Sequence, residues 1–530
     1  MEEKKDKEIK ENLVIKQQKE SKLYILLENH IKSNIFSITL LLDFFIIFIK
    51  ILLGQYGYSG EHEPPKYGDF EAQRHWMEIT IYLPPEEWYT NSKLNKEKCW
   101  PLDYPPLSGY HSYILGKILD YFMPESVEFK YSHGYETKIF KNVMRAFSLF
   151  FDFIIFHIAI HFFCYKIFIK DKINKNKKPL YMNYLIIQIL ILLNPLMIII
   201  DHGHFQYNNI MHGFFVFAVY FLLSDKFILS IIFLSFCVNY KQMGLYYALA
   251  FPFYVIKKLF FSEEKNKNIF ISLLLIIFYG IITIFINGII YLPWIKYDKL
   301  KDVFNRIFPV KRGIFEDKVA TFWCVLNIFI KLNKKFKNDT LLKLSLVFTL
   351  LGCLIPIFAI FKSKKITKKI IIQCFFIISL AFYLFSFHVH EKTIIVPFLA
   401  FLLNLPYMIN ILPSFTLIGM FSLFPLLKRE NQIIPYYLIN IIFYLVTKLV
   451  NKFTTKKKKD ENKYIFLLAE IFISIIMIGY HALEYKIAPP EKYPWFYPMI
   501  NAIIGFAFFF GIFFYSNYSL LKIVFKDKNK

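Results

Sequence analysis

The chain has 530 residues, 56% of them hydrophobic and 20% aromatic, and a formal net charge of +24 from 64 Lys and Arg against 40 Asp and Glu. Apolar runs of about 17–25 residues, the length that crosses a bilayer, recur along nearly all of it, which excludes a soluble globular enzyme and makes the chain an all-α polytopic membrane protein. The charge does not make it a nucleic-acid binder, because the lysines sit in short loops between apolar helices, where the positive-inside rule collects them.

Residues 1–34 are charged and mixed in sign, with no small-residue cleavage site after them, so they read as a cytosolic tail and not as a signal peptide. Apolar spans are predicted near 35–53, 142–165, 181–200, 208–224, 226–240, 243–256, 268–290, 341–361, 370–387, 393–405, 408–426, 433–450, 464–480 and 497–516, fourteen in all. Lys166 to Lys178 holds six lysines and one aspartate, Lys362 to Lys369 five lysines and no acid, and Lys456 to Lys459 is a run of four. With these three loops in the cytosol both termini are cytosolic, and the loops 54–141, 291–340 and 481–496 face the other side. The chain divides into the tail 1–34, a transmembrane domain 35–520 whose first large loop is 54–141, and a tail 521–530. The piece 319–332 is too short to span and is expected to dip into the far leaflet. Asp43 and Asp152 fall inside predicted spans, where buried hydrogen bonding is expected of them. Of the six cysteines none forms a CxxC pair. Cys99 and Cys324 fall on the non-cytosolic side, where two free thiols are expected in preference to a bridge.

The first loop is dense in charges, aromatics and prolines. Its runs 70–83 and 111–122 are predicted as amphipathic helices at the membrane surface. Gly68-Asp69-Phe70-Glu71-Ala72-Gln73-Arg74-His75-Trp76-Met77-Glu78 offers a carboxylate for general-base work and cations for a phosphate. The plain alternative is a solvated helix whose charges pair at i,i+3 and i,i+4. Leu102-Asp103-Tyr104-Pro105-Pro106-Leu107, followed by Tyr110-His111-Ser112, makes a rigid turn that can aim Asp103 and Tyr104; ordinary loop punctuation is the alternative.

Further along, Asp201-His202-Gly203-His204-Phe205-Gln206-Tyr207-Asn208 places polar groups between two apolar stretches, where they are tolerated only if they line a wet cavity or find partners. The histidine spacing lacks the helical i,i+4 pair of zinc enzymes, so hydrogen bonding to sugar or phosphate suits it better. A helix cap by Asp201 is the other reading. Lys311-Arg312-Gly313-Ile314-Phe315-Glu316-Asp317-Lys318 supplies a clamp for an anionic headgroup, or snorkelling cations. His388-Val389-His390-Glu391-Lys392 closes the series at another helix end. The predicted topology puts all five constellations on one side of the membrane. There is no internal repeat and no glycine-rich phosphate loop, which speaks against a transporter built from inverted repeats.

These segments resemble, in order, the signatures of the dolichyl-phosphate-glucose-dependent α-1,3-glucosyltransferases. The resemblance runs from Gly68–Thr80 and Leu102–Ser112 through Asp201–Asn208 and Lys241-Gln242-Met243 to Arg312–Ala320 and Val389–Lys392. Glu71 to Glu78 and Tyr110-His111-Ser112 resemble the member that adds the first glucose more than the one that adds the second. His388 stands where the family often has Gln, and Ser132-His133-Gly134-Tyr135-Glu136 replaces a usual Ser-Arg-Gly-Tyr-Glu.

The resemblance implies a GT-C glycosyltransferase fold in the endoplasmic reticulum membrane, with luminal loops and a luminal active site. The donor it implies is dolichyl-phosphate glucose, and the acceptor is the nine-mannose, two-GlcNAc oligosaccharide on dolichyl pyrophosphate. The expected partners are therefore lipid-linked substrates and membrane lipid. Neither cofactor nor metal is expected. The β-linked donor and α-linked product imply inversion in one displacement. Asp69 is the expected base. Arg74, Arg312, Lys318, His390 and Lys392 form the pool of cations for the departing phosphate, while Asp103, Tyr104, Asp201, His202, His204, Glu316 and Glu391 are expected to bind or orient substrate. The sequon Asn338-Asp339-Thr340 and the lysines near the C-terminus agree with an endoplasmic reticulum address. A second-glucose enzyme of the same family and a lipid or sugar transporter remain the rival readings.

Overall fold

The computed structural model describes residues 25–526 apart from 97–99, 262–267, 310–312, 315–317 and 455–462. Among the described residues it is all helical, with no β-strand. Among the described residues nine helices are long and apolar enough to cross a membrane: Ile35–Leu53, Lys138–Ile173, Ile269–Ile290, Asn338–Lys362, Lys368–Phe385, Leu405–Arg429, Ile433–Val450, Tyr464–Lys486 and Phe496–Lys526. A tenth arises if Tyr181–Leu192 and Pro195–Phe205, bent by 50°, count as one span.

These nine or ten do not confirm the fourteen expected spans. Four of them are helices of 15, 14, 11 and 9 residues, namely Asn208–Leu222, Phe227–Tyr240, Ala250–Phe260 and Ile395–Leu403. At a rise of about 1.5 Å per residue none of these crosses about 30 Å of hydrocarbon. Every residue of Ile395–Leu403 is buried, so its apolarity serves the protein core and not the lipid. The cause of the shortening is chemical. Polar residues such as Lys241, Gln242, His390 and Lys392 interrupt the apolar runs, and these residues turn inward to line one cavity.

Within the first loop the helices Gly68–Tyr82 and Pro106–Phe122 form as predicted. They differ in character. Pro106–Phe122 leaves Ile114, Tyr121 and Phe122 exposed, an apolar face suited to a surface. Gly68–Tyr82 is not a solvated helix, since it buries Phe70, Trp76 and Ile79 together with the charged Glu71, Arg74 and Glu78. The two helices approach closely where Gly116 faces the Met77 carbonyl; a Cβ there would stand 2.7 Å from that oxygen. A separate aromatic core of Trp76, Trp88, Tyr89 and Trp294 ties this loop to the segment around residue 300.

The piece 319–332 contains only the helix Phe322–Ile330, which is not one of the nine. Asp43 and Asp152 are buried and bonded as expected. Asp43 faces His157 Nδ1 at 2.8 Å and His161 Nε2 at 2.7 Å. Asp152 accepts from Lys50 at 2.5 Å and from the Asn209 amide at 3.0 Å. Cys324 is buried, whereas Cys99 falls outside the described residues.

Candidate active site

A cavity of about 410 Å³ opens between the first loop and the ends of the apolar helices. One wall is polar and includes Asp69, Gln73, Asp103, Lys241, His390 and Lys392. The other is apolar and includes Leu245, Leu342, Phe382 and Phe387, of which Leu342 and Phe382 belong to membrane-length helices. Such a lining suits a ligand with one polar end and one apolar end.

Asp69 sits in the first turn of Gly68–Tyr82, and its amide donates to Ser59 Oγ at 3.2 Å. Its Oδ2 is 2.5 Å from Lys392 Nζ and 2.6 Å from His204 Nε2. Burial alone would raise the carboxyl pKa, but the Lys392 charge and the His204 hydrogen bond outweigh it and hold Asp69 well below the ordinary carboxylate range. Burial likewise disfavours the Lys392 ammonium, yet Asp69 raises it above the usual lysine value. The pair is thus ionised on both sides. The Asp69 contribution to stability is present above the ordinary carboxylate value and lost as pH falls through the lowered one, and the Lys392 contribution is present below the ordinary lysine value and lost as pH rises through the raised one. A reaction that needs ionised Asp69 should therefore keep its kcat/KM flat on the acid side down to about pH 5, since that parameter reports the free enzyme. An acid limb centred above about pH 6 would transfer the base role away from Asp69.

Two residues away from each other, His202 and His204 leave the turn Ile199–Phe205 on different sides. That turn is π-helical, a geometry enriched at functional sites. His202 faces Asp152 at 3.1 Å, inside the protein and away from the cavity wall, while His204 reaches Asp69. The chain leaves the turn through Phe205 at φ 81°, a conformation costly for a bulky side chain. The Phe205 ring packs on Phe70 with centroids 5.0 Å apart, which fixes the turn against the helix that carries Asp69. Asp201 spends Oδ1 on Asn208 at 2.7 Å and Oδ2 on the Asn209 amide at 2.6 Å. It caps the helix Asn208–Leu222, as the second sequence reading had it.

The other expected site residues divide. Tyr104 lies 4.3 Å below the Lys241 ammonium and donates its hydroxyl to Gln206 at 3.3 Å. Asp103 and His390 line the cavity. Glu391 does not face Asp69; its Oε1 is 3.7 Å from Arg429. Arg74 does not reach the cavity. Its guanidinium is fully buried, 2.6 Å from Glu71 and 2.7 Å from Glu78, and bonded to Ser132 as well. The i,i+3 and i,i+4 pairing is the plain one anticipated, but it is buried instead of solvated. His133, in the place of the usual arginine, faces Glu71 at 3.0 Å. Lys318 lies over the Trp495 ring at 5.6 Å and is absent from the cavity wall. Arg312 and Glu316 fall outside the described residues.

Sequence reasoning missed two participants. Lys241 was quoted only as part of a motif. Its Nζ donates to Asn208 Oδ1 at 2.6 Å and to Gln206 Oε1 at 3.1 Å, and burial followed by the Lys392 charge lowers its pKa. The signal was available, because a lysine between two apolar helices demands buried partners. The second is Glu430, 2.6 Å from His204 Nδ1, whose only sequence signal is a charged turn between two spans. Among the described residues, one other group has metal-type chemistry. Asp43, His157 and His161 bring three ligand atoms within 4.8 Å of one another. The Lys50 ammonium stands 2.9 Å behind His157 Nε2, and a fixed cation there opposes a second one.

The sequence profile of the ALG6, ALG8 glycosyltransferase family matches residues 46–515. The chain is 36% identical, over 90% of its length and 94% of the relative's, to a Dictyostelium discoideum protein named probable dolichyl pyrophosphate Man9GlcNAc2 alpha-1,3-glucosyltransferase. It is 32% identical to the Saccharomyces cerevisiae dolichyl pyrophosphate Man9GlcNAc2 alpha-1,3-glucosyltransferase over 89% of this chain and 90% of the relative. To the Mus musculus protein of the same name it is 32% identical, over 85% and 91%.

Proposed function

The chain belongs to the ALG6, ALG8 glycosyltransferase family, and we propose that it transfers the first glucose of the lipid-linked oligosaccharide, in α-1,3 linkage, from dolichyl-phosphate glucose. The acceptor is the nine-mannose oligosaccharide on dolichyl pyrophosphate, as the names of the relatives suggest. In this reading the fold is of the GT-C type, the protein resides in the endoplasmic reticulum membrane, and the cavity opens to the lumen. One observation carries the reading: an ionised carboxylate, Asp69, paired with a lysine in a cavity that is lined also by apolar side chains of membrane-length helices.

The steps follow from that geometry. Lys392 and His204 both hold Oδ2 of Asp69, so neither occupies Oδ1. Oδ1 takes the proton of the mannose 3-hydroxyl as that oxygen attacks the anomeric carbon of glucose. The bond between that carbon and the phosphate oxygen breaks, and dolichyl phosphate leaves as an anion that needs no general acid. Lys241 and Lys392 stand on the same wall and neutralise it. Burial disfavours the Lys241 charge, and an arriving anion offsets that cost. The apolar wall takes the first isoprene units.

The purified chain, given dolichyl-phosphate glucose and acceptors of nine mannoses with no glucose or one glucose, should glucosylate only the unglucosylated acceptor. Transfer confined to the monoglucosylated acceptor would assign the second step instead. Flux of lipid across vesicles without glucosyl transfer would assign a transporter.

A further inference from the structure

The turn between Leu412–Arg429 and the helix Ile433–Thr454 carries Lys428-Arg429-Glu430-Asn431-Gln432, five polar residues in an apolar stretch. Burying such residues costs free energy unless each finds a partner. Glu430 is only 7% exposed and Gln432 is fully buried. Two glycines receive them. A Cβ at Gly57 would stand 2.4 Å from the Glu430 carbonyl oxygen, and one at Gly203 would stand 2.3 Å from Gln432 Oε1. Gln432 Nε2 donates to the Gly57 carbonyl at 2.8 Å, and Arg145 donates to the Gly203 carbonyl at 2.7 Å. The turn is therefore seated against both the segment after the first helix and the histidine turn, and a Cβ at Gly57 would collide with its backbone.

This seating aims one group at the site. Glu430 Oε1 is 2.6 Å from His204 Nδ1, and His204 Nε2 is 2.6 Å from Asp69 Oδ2. A neutral imidazole has one N–H and satisfies one carboxylate, whereas an imidazolium satisfies both. Charge balance agrees. Asp69 and Glu430 bring two negative charges, Lys392 brings one positive charge, and a charged His204 makes the buried group neutral.

We propose that Glu430 is a positioning residue for the transfer: it holds His204 as an imidazolium that fixes Oδ2 of Asp69, so that Oδ1 meets the acceptor hydroxyl. The proposal rests on the reading of Asp69 as the base. The relay has the logic of a buried carboxylate that orients a histidine, extended by one carboxylate.

The test uses the full-length protein in detergent or nanodiscs with dolichyl-phosphate glucose and the nine-mannose acceptor. Glu430→Gln should lower kcat about 100-fold while both KM values stay within about 3-fold, since the residue acts on the base and not on substrate binding. Glu430→Asp should recover about tenfold of that loss. Combining Glu430→Gln with His204→Gln should be no slower than His204→Gln alone, because the glutamate acts through the histidine. A glutamine variant within about 3-fold of the wild-type kcat, or losses that multiply in the double variant, would overturn the proposal. Should the glutamine variant not fold, the comparison moves to Glu430→Asp. A kcat lowered about tenfold at constant KM then supports the role, and an unchanged kcat overturns it. An inactive wild-type chain would overturn the functional reading and this inference together. An active wild type with an unaffected glutamine variant overturns this inference alone.

Discussion

Asp69→Asn is expected to reduce glucosyl transfer by about 10³- to 10⁴-fold, the upper part of the range that positioned general bases contribute. Asparagine keeps the shape of the side chain and an oxygen for Lys392 and His204, but it cannot accept the proton of the mannose hydroxyl. Protein levels should stay near normal, because Asp69 is half-buried at the cavity and not packed in a core. The KM for the donor should change little, since Lys241 and the apolar wall remain. Two buried carboxylates near the site are already committed to other partners. Asp201 has both oxygens committed to Asn208 and Asn209, and Asp152 is committed to Lys50, His202 and Asn209. Near-normal transfer by the asparagine variant at normal expression would remove Asp69 as the base.

Arg74→Gln is expected to destabilise the protein by about 3–5 kcal/mol, the cost typical of leaving buried charges unpaired. Glu71 and Glu78 are each at most 3% exposed, and both lean on the same guanidinium. Glu71 keeps the Gly134 amide at 3.2 Å and the His133 ring at 3.0 Å, and Glu78 keeps the Lys130 amide at 2.8 Å and the His75 ring at 3.2 Å, but none of these replaces the guanidinium that the two carboxylates share. The loss should appear as a lower melting temperature in detergent and as poor accumulation in cells. Donor KM in the fraction that folds should be unchanged. Arg74→Gln combined with Glu71→Gln should recover part of the stability, because a buried neutral cluster costs less than an unpaired charge. A variant with wild-type melting behaviour and a strongly raised donor KM would instead return Arg74 to the phosphate site.

Much of the architecture was legible because hydrocarbon imposes few solutions. An apolar run must be helical to satisfy its backbone, so the class and the nine long helices could be read from composition and length alone. The count of fourteen is left unconfirmed where apolar runs are interrupted by Lys241 or follow His388–Lys392. Apolarity alone does not say whether a residue faces lipid or protein, and Ile395–Leu403 faces protein on every side.

The site was legible in part for a similar reason. The order of the polar segments located Asp69, His204 and Lys392, which the fold brings to one carboxylate from positions up to 323 residues apart. The sequence also determined that Arg74 would pair with Glu71 and Glu78, because one helix turn places them side by side. Only the tertiary structure decided that this pairing is buried and spent on holding the loop together. It likewise decided that Asp201 caps a helix, that His202 turns to Asp152, and that Glu430, 226 residues from His204, completes the charge around Asp69. Helical spacing is a local property carried by neighbouring residues. Burial and the pairing of distant charges depend on which faces meet, and that is settled only when the helices pack.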